Sequence, residues 1–179
     1  PVVAKFTSGI NNFDFDKYPT GYVFQTSGFY SKEDGGAATY MIEEGLTANG
    51  IDVFTINDGR FARYLINKDN SVNVLQLGAL GNDVLNNTPI FSRAIDILIE
   101  GGELIFPKGI YRTNEPLIIK YSDTRLLGYG ATIKPFSNWN EKLYGEFLKG
   151  IISIFGSSID HIENIEIKGF TLNGTDFAG

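Results

Sequence analysis

The chain has 179 residues, no cysteine, one histidine and a formal net charge of −6. Disulfides and thiolate metal or redox sites are therefore excluded, and a single imidazole cannot build a zinc site from several histidines. The acidic balance disfavours a nucleic-acid partner, because no basic patch is evident that would attract a phosphate backbone.

The composition favours β-structure with many turns over helical bundles. Hydrophobic residues make up 42% of the chain, and it contains 21 glycines, 14 phenylalanines and 9 tyrosines. The chain opens at Pro1 without a charged-then-apolar leader, and no apolar run approaches the roughly 18 residues that span a membrane. We therefore expect a soluble fragment of a longer protein, with no membrane insertion.

Residues 1–76 are predicted to form a small antiparallel β domain, with its boundary near residues 71–76. It begins with an apolar stretch at 2–4, a polar loop at 11–16 and a weakly alternating strand at 21–26. Two hairpins follow: one joins residues 29–30 to 38–42 through a turn at 34–36, and one joins 51–56 to 60–66 through Asn-Asp-Gly.

A short amphipathic helix is predicted after Thr88, which has the side chain of an N-cap and is followed by Pro89 at the first helical position. Its apolar face is predicted to comprise Ile90, Phe91, Ala94, Ile95, Leu98 and Ile99. Arg93, Asp96 and Glu100 are assigned to the other face, and Gly101-Gly102 end the helix.

Short strands follow the helix, and they are too brief and too evenly interrupted to be helices. They are predicted at residues 104–106, 110–113, 117–119, 126–127, 131–133, 151–155, 162–167 and 170–174. A single helix before such a series indicates a stack of coils whose open end is sealed by the helix. About two coils are fewer than usually stand alone, so we expect support from oligomerisation or from the first domain.

An aromatic segment at residues 135–150 interrupts the strands. Trp139, Tyr144 and Phe147 in this segment are the candidate site residues: they could form a platform for a sugar ring or a partner subunit. The competing interpretation, which we favour, is that these side chains simply pack, because aromatic residues at helical spacing usually belong to a core.

No catalytic residue, metal site or cofactor is predicted. Asp160, Glu163 and Glu166 are the clustered acids of the coils, but alternation along a strand already explains Glu166 as a solvated charge on the outer face. His161 has no nucleophile pattern around it and is interpreted as a surface residue in a turn.

An ordered set of motifs resembles the opening of the right-handed parallel β-helix in the pectate-lyase-like family of phage tailspikes and pre-neck appendages. The motifs are LGALGND, Asn87-Thr88, Ala94-Ile95-Asp96, GGELIFPKGIY, LLGYGATI and IENIEIKGFTLNG, and they cover roughly the second half of the chain. The run at residues 81–88 is only a loose version of the family's usual GDG-TDDT. The GFYS-EDGGAATY and NDGRFARYL segments look like the small β head that often precedes such a β-helix.

The resemblance implies a mainly β protein with a β head at residues 1–76, then a capping helix and the first coils of a right-handed parallel β-helix at 77–179. Its function would be structural: a virion component that forms homotrimers, contacts other tail or neck proteins and joins them to a shaft that binds or degrades a host-surface glycan. Two alternatives stay open. The parent could be a polysaccharide hydrolase or lyase, or the chain could be a secreted pectate-lyase-like carbohydrate-active protein.

Overall fold

The computed structural model describes residues 3–4, 7–137, 139, 150–156 and 161–174. The chain divides into two compact units. The first comprises Pro1–Asp69 and Leu75–Gly78, and the second comprises Asn70–Val74 and Ala79–Gly179. The two units therefore alternate along residues 70–78, and the sequence-based boundary between residues 76 and 77 stays a prediction.

The first unit is built on a five-stranded sheet with the strand order β1-β2-β3-β5-β4. Strand β1 runs parallel to β2, and the other neighbours are antiparallel. A 3-10 helix covers Thr7–Asn12, where a polar loop was expected for residues 11–16. The strands are β1 Val3–Ala4, β2 Val23–Thr26, β3 Thr39–Glu43, β4 Val53–Thr55 and β5 Phe61–Leu65.

Alternation along β2, β3 and β5 places every second side chain in the core of this unit. Tyr40 lies opposite Tyr64 and Phe24, and its ring centroid is 6.1 Å and 5.8 Å from theirs. The β4–β5 hairpin is confirmed, with Gly59 at a φ of 86° in its turn. Cross-strand aromatic pairs thus hold the centre of the sheet.

The predicted first hairpin is wrong, because residues 29–30 form no strand and β3 pairs with β2 instead. The Asp34 carboxylate accepts hydrogen bonds from the backbone N–H groups of Phe29, Tyr30, Ser31 and Gly36, at 2.7–3.0 Å. These donors are satisfied locally, so the segment closes into a compact loop without a strand partner.

Within its described residues, the second unit contains parallel strands and the helix α1 at Thr88–Ile97. Strand β6 pairs with β8, β8 with β11 and β11 with β13, while β7 pairs with β9, β9 with β11 and β10 with β12. The bounds are β6 Ser71–Asn73, β7 Asn82–Asn86, β8 Gly102–Phe106, β9 Gly109–Thr113, β10 Leu117–Ile119, β11 Thr124–Pro135, β12 Ile152–Ile154 and β13 Glu166–Leu172.

In this unit the strand register places aliphatic side chains next to aliphatic side chains on neighbouring strands. Val72 aligns with Leu104, Leu104 with Leu126 and Leu126 with Ile167. The first three side chains are fully buried, whereas Ile167 is 40% exposed on β13. The aliphatic column is therefore the core of the stack, as the sequence pattern indicated, and β13 is its open edge within the described residues.

Three details of the strand prediction change. Strands β6 and β7 were not predicted, since their sequences, SVN and NDVLN, are short and polar. Residues 162–165 form no strand, and β13 runs unbroken from Glu166 through Gly169, whose φ is 78°. A Cβ at Gly169 would collide with the backbone oxygen of Gly128, so the close approach of the two chains requires glycine at this position.

Helix α1 packs through Phe91, whose ring lies 5.0 Å from Phe106 and 5.9 Å from Tyr111. The expected cap is wrong: Asn87 is the N-cap, and the Thr88 hydroxyl instead accepts a hydrogen bond from the backbone N–H of Asn114 at 3.0 Å.

The far end of α1 also differs from the sequence-based expectation. Ile99 was predicted on the apolar face but is 58% exposed, because the helix ends at Ile97 and the chain turns away. Gly101 and Gly102 follow with φ values of 81° and 133°, which glycine adopts at little steric cost.

Candidate functional site

The predicted aromatic site is not assembled by the described residues. Trp139 is half-buried, belongs to no helix or strand, and donates its backbone N–H to the Phe136 carbonyl at 3.2 Å. Tyr144 and Phe147 lie outside the described residues. The platform of Trp139, Tyr144 and Phe147 therefore stays a prediction.

Two acidic residues of the coils, Glu103 and Glu166, lie in a charged column on the outer face. Glu103, Arg125 and Glu166 align on β8, β11 and β13, and the Glu103 carboxylate is ion-paired with Arg125. Lys168 Nζ donates to Glu166 Oε1 at 2.8 Å, and this hydrogen bond lowers the pKa of the Glu166 carboxyl. These charges accompany strand stacking, and their arrangement needs no ligand to explain it.

Of the three remaining candidates, His161 and Glu163 lie in a loop. Glu163 donates its backbone N–H to Ser122 Oγ at 3.2 Å, and the His161 carbonyl accepts from the same hydroxyl at 3.4 Å. Asp160 lies outside the described residues. Ser122 thus ties residues 161–163 to the preceding coil through backbone atoms and leaves the two side chains at the surface.

Asn87 is a buried polar residue that makes several hydrogen bonds. Sequence analysis named it only as part of the Asn87-Thr88 motif. Its Nδ2 donates to the carbonyls of Leu80, Leu85 and Arg112 at 3.2, 2.9 and 3.3 Å, and its Oδ1 accepts from Leu80 N–H at 3.0 Å. The fully buried amide therefore fastens the turn before α1 to strand β9.

A shallow, open cleft of about 550 Å³ lies on the first unit, where the chain before β2 meets the β4–β5 turn. It is lined by Asp16, Lys17, Tyr18, Pro19, Asp58 and Arg60. Asp58 and Arg60 form an ion pair whose hydrogen bond lowers the pKa of the Asp58 carboxyl and raises the pKa of the Arg60 guanidinium.

Long-range hydrogen bonds fix the wall of this cleft. Asn57 Oδ1 accepts from the Phe15 backbone N–H at 3.1 Å, and Asn57 Nδ2 donates to Asp16 Oδ1 at 3.0 Å. Arg60 Nη2 donates to the Phe15 carbonyl at 3.0 Å. Hydrogen bonds within the protein therefore fix both sides of the cleft.

A row of half-buried rings borders the cleft. Tyr18 lies between Phe13 and Tyr22, with centroid distances of 6.3 Å and 4.7 Å, and its edge packs on the buried ring of Phe15 at 6.5 Å. Sequence reasoning missed this aromatic row because residues 11–16 were interpreted as a polar loop and residues 21–26 as a strand. The available signal was the density of aromatic residues in FDFDKYPTGY.

No helix in the described part of the chain is long and apolar enough to cross a membrane. No group of three or more histidine, cysteine, aspartate or glutamate side chains in that part could hold a metal ion.

No protein-family model matches the chain, and no curated protein matches its sequence. Solved structures that resemble it include phage tailspike proteins, and the mainly β fold of the chain, with its parallel sheet, fits a β-helix. One is the tailspike protein gp49 of Acinetobacter baumannii bacteriophage Fri1, a capsular polysaccharide depolymerase. It superposes with a TM-score of 0.66 at 15% identity, over 97% of this chain and 38% of gp49.

Two other tailspikes extend the comparison. The gp42 tailspike of Acinetobacter phage vb_AbaP_AS12 has a TM-score of 0.64 at 16% identity, over 94% of this chain and 30% of its own. The enzymatically active domain of tailspike protein 4 from bacteriophage CBA120 has a TM-score of 0.56 at 13% identity, over 98% and 25%. This chain thus spans 38% or less of each tailspike chain, and at these identities the likeness concerns the fold.

Proposed function

We propose that this chain is the N-terminal structural segment of a phage tailspike, in which a β head at residues 1–76 precedes the coils at residues 77–179. The observation that carries the proposal is the parallel stack of β6, β8, β11 and β13, together with the tailspike fold of its structural neighbours. The segment would connect a glycan-binding or glycan-degrading β-helix to other tail proteins of the virion. The tailspike structures reported above give no support to the secreted alternative.

In this proposal α1 is the N-terminal cap of a right-handed parallel β-helix. Phe91 packs on Phe106 of β8 and Tyr111 of β9, the strands that follow β6 and β7 in the stack, and burial raises the pKa of the Tyr111 hydroxyl to about 12. The opposite edge carries Ile167 and Leu172, which are 40% and 50% exposed although they continue buried columns. A further coil stacked on β13 would cover them.

We also propose that the chain forms a homotrimer through the outer face of the coils. Val84 on β7, Ile110 on β9 and Tyr129 on β11 belong to three neighbouring strands of one sheet, and their side chains are exposed. Large apolar side chains grouped on a surface are typical of an interface, and a second copy of the same chain is the occupant that a trimeric spike supplies.

The test is the solution mass of the 179-residue chain, measured by light scattering across a concentration series. We expect three times the chain mass of 19.7 kDa for the wild type. Tyr129→Asp should shift the mass toward the monomer, because a carboxylate would be buried without a partner. The matched control is Val23→Asp, at an exposed apolar position of the first unit, which should stay trimeric. A wild type that is monomeric at every concentration contradicts the proposal.

A second candidate is a glycan depolymerase, and the observation that favours it is that gp49 is a capsular polysaccharide depolymerase. Glu103 and Glu166 are ion-paired on the outer face, so we place any such activity in a longer parent protein. Incubation of this chain with purified capsular polysaccharide, followed by a reducing-end assay, separates the two cases. Release of reducing ends by the chain itself would favour the enzyme.

A further inference from the structure

The loop at residues 46–52, which precedes β4, contains Asn49-Gly50, one of the two Asn-Gly dipeptides of the chain. Asparagine is chemically labile, and it loses its amide most readily before glycine. A residue without a Cβ leaves its backbone nitrogen free to attack the neighbouring side-chain carbonyl carbon. Asn49 and Gly50 are both exposed, and a Cβ placed at Gly50 would meet no described atom within 4 Å. Water therefore has access to this dipeptide.

Hydrogen bonds restrain both reacting groups while the loop is closed. The Asn49 Oδ1 accepts from the backbone N–H groups of Ile51, Asp52 and Val53 at 3.0, 3.1 and 3.1 Å. The Asn49 Nδ2 donates to Asp52 Oδ1 at 2.6 Å, and the Gly50 N–H is donated to the Val53 carbonyl at 3.1 Å. Rotation of the amide would break its four hydrogen bonds, and the Gly50 nitrogen must give up a bonded proton before it can attack.

We propose that Asn49 is a deamidation site whose reaction proceeds from an open state of the 46–52 loop, so that the modification records opening of this loop. Solvent hydroxide takes the Gly50 N–H proton, and the nitrogen forms a bond to the Asn49 Cγ. The Cγ–Nδ2 bond breaks, and Nδ2 leaves as ammonia with a proton from water. Water then opens the resulting succinimide at either carbonyl carbon and yields aspartate or isoaspartate.

Neither product fits the closed loop as asparagine does. In isoaspartate the main chain runs through the former side-chain carbonyl, so the oxygen that accepted from Ile51, Asp52 and Val53 becomes part of a lengthened backbone. Aspartate keeps an acceptor but replaces the Nδ2 donor by an oxygen, which faces the carboxylate of Asp52, a residue that is 4% exposed. The reaction is irreversible, so a modified loop stays loosened beside the edge strand β4.

The test compares the full chain with a synthetic peptide of residues 46–53, LTANGIDV, in mildly alkaline buffer. Mass spectrometry of proteolytic fragments measures the loss of the Asn49 amide, and chromatography separates aspartate from isoaspartate. We expect the folded chain to react at Asn49 at least about tenfold more slowly than the peptide, because only the open loop reacts. In urea that unfolds the chain, the chain and the peptide should react at the same rate.

A variant and a second measurement assign the restraint to this loop. Asp52→Ala removes the acceptor of Nδ2 and should raise the rate at Asn49 in the folded chain about fivefold, the effect of one ordinary hydrogen bond. Glu100→Ala removes an exposed carboxylate from the second unit and should leave the rate unchanged. Hydrogen exchange needs no variant: the amides of residues 51–53 should exchange faster in deamidated molecules than in fresh ones, because they lose the Asn49 acceptor.

Three results would overturn the proposal. The first is a rate at Asn49 in the folded chain that equals or exceeds the rate in the peptide. The second is an intact Asn49 amide in the unfolded chain after the peptide has reacted. The third is equal exchange of residues 51–53 in fresh and deamidated molecules. None of these measurements depends on the oligomeric state or on a tailspike function, so the two proposals fail independently.

Discussion

The substitution Asn87→Asp should unfold the coil unit far more easily than any surface change of the same chemistry. Asn87 is fully buried, and its Nδ2 donates to three carbonyl oxygens, those of Leu80, Leu85 and Arg112. Aspartate keeps the shape and the acceptor but replaces that donor by an oxygen. The two N–H donors that these three carbonyls share are lost, at about 1 kcal/mol for each hydrogen bond, and a buried charge then faces three carbonyl dipoles.

The expected loss of stability is therefore about 4 kcal/mol or more, a large part of the roughly 5–15 kcal/mol that stabilises a typical domain. Asn87→Ala, which removes the hydrogen bonds without adding charge, should cost about 2–3 kcal/mol. The matched control Asn12→Asp makes the same chemical change at an exposed position and should stay within about 0.5 kcal/mol of the wild type.

Urea denaturation, followed by circular dichroism, ranks the unfolding free energies of these three variants. The deficit of Asn87→Asp should shrink at acid pH, because a protonated carboxyl can donate to one of the carbonyls. The reasoning is refuted if Asn87→Asp and Asn12→Asp unfold at the same urea concentration, since the buried amide would then contribute nothing that an exposed one does not.

Further predictions concern helix α1, the loop that contains Asp34, and strand β13. Phe91→Ala should cost about 3–5 kcal/mol in urea denaturation, whereas Ile99→Ala, at the exposed end of the same helix, should be nearly neutral. Partial burial of Asp34 opposes its ionisation, but four backbone donors outweigh it and lower the carboxyl pKa. The stabilising contribution of the Asp34 carboxylate is therefore complete above the ordinary carboxyl pKa, and it is lost as pH falls through the lowered pKa of the folded state. In a pH series of urea denaturations, the loss of unfolding free energy in Asp34→Asn should be largest near neutrality and vanish in acid. Gly169→Ala should lower the melting temperature more than Gly45→Ala, because both glycines have positive φ but only the first would collide with a neighbouring strand.

Sequence reasoning predicted the parts of the fold that local patterns specify. The four-residue recurrence that begins at Ile90 gave α1, and Asn-Asp-Gly gave the turn between β4 and β5. Strands β6 and β7 were not predicted, because their residues are mostly polar. These residues gain their strand conformation from parallel partners. A partner that is distant in sequence leaves no local signal.

The candidate site shows the same limit. Aromatic residues at positions 139, 144 and 147 attracted attention because their spacing is close to helical. The row of Phe13, Tyr18 and Tyr22 belongs to no helix or strand, and its order depends on a turn more than thirty residues away, through Asn57 and Arg60. Such a site can be suspected from aromatic density, but its geometry requires the tertiary structure.

In a stack of parallel strands, side chains at the same register position form a column, and each column restricts the residue types that its members can have. An inward column must stay aliphatic, as from Leu104 to Leu126, because every member is buried by the next. An outward column can carry charge only if the sign alternates, since like charges directly opposite repel. Glu103, Arg125 and Glu166 obey this rule on successive strands. The specificity of the coil unit therefore resides in the register between coils, so a one-residue slip would both bury charges and expose the aliphatic column.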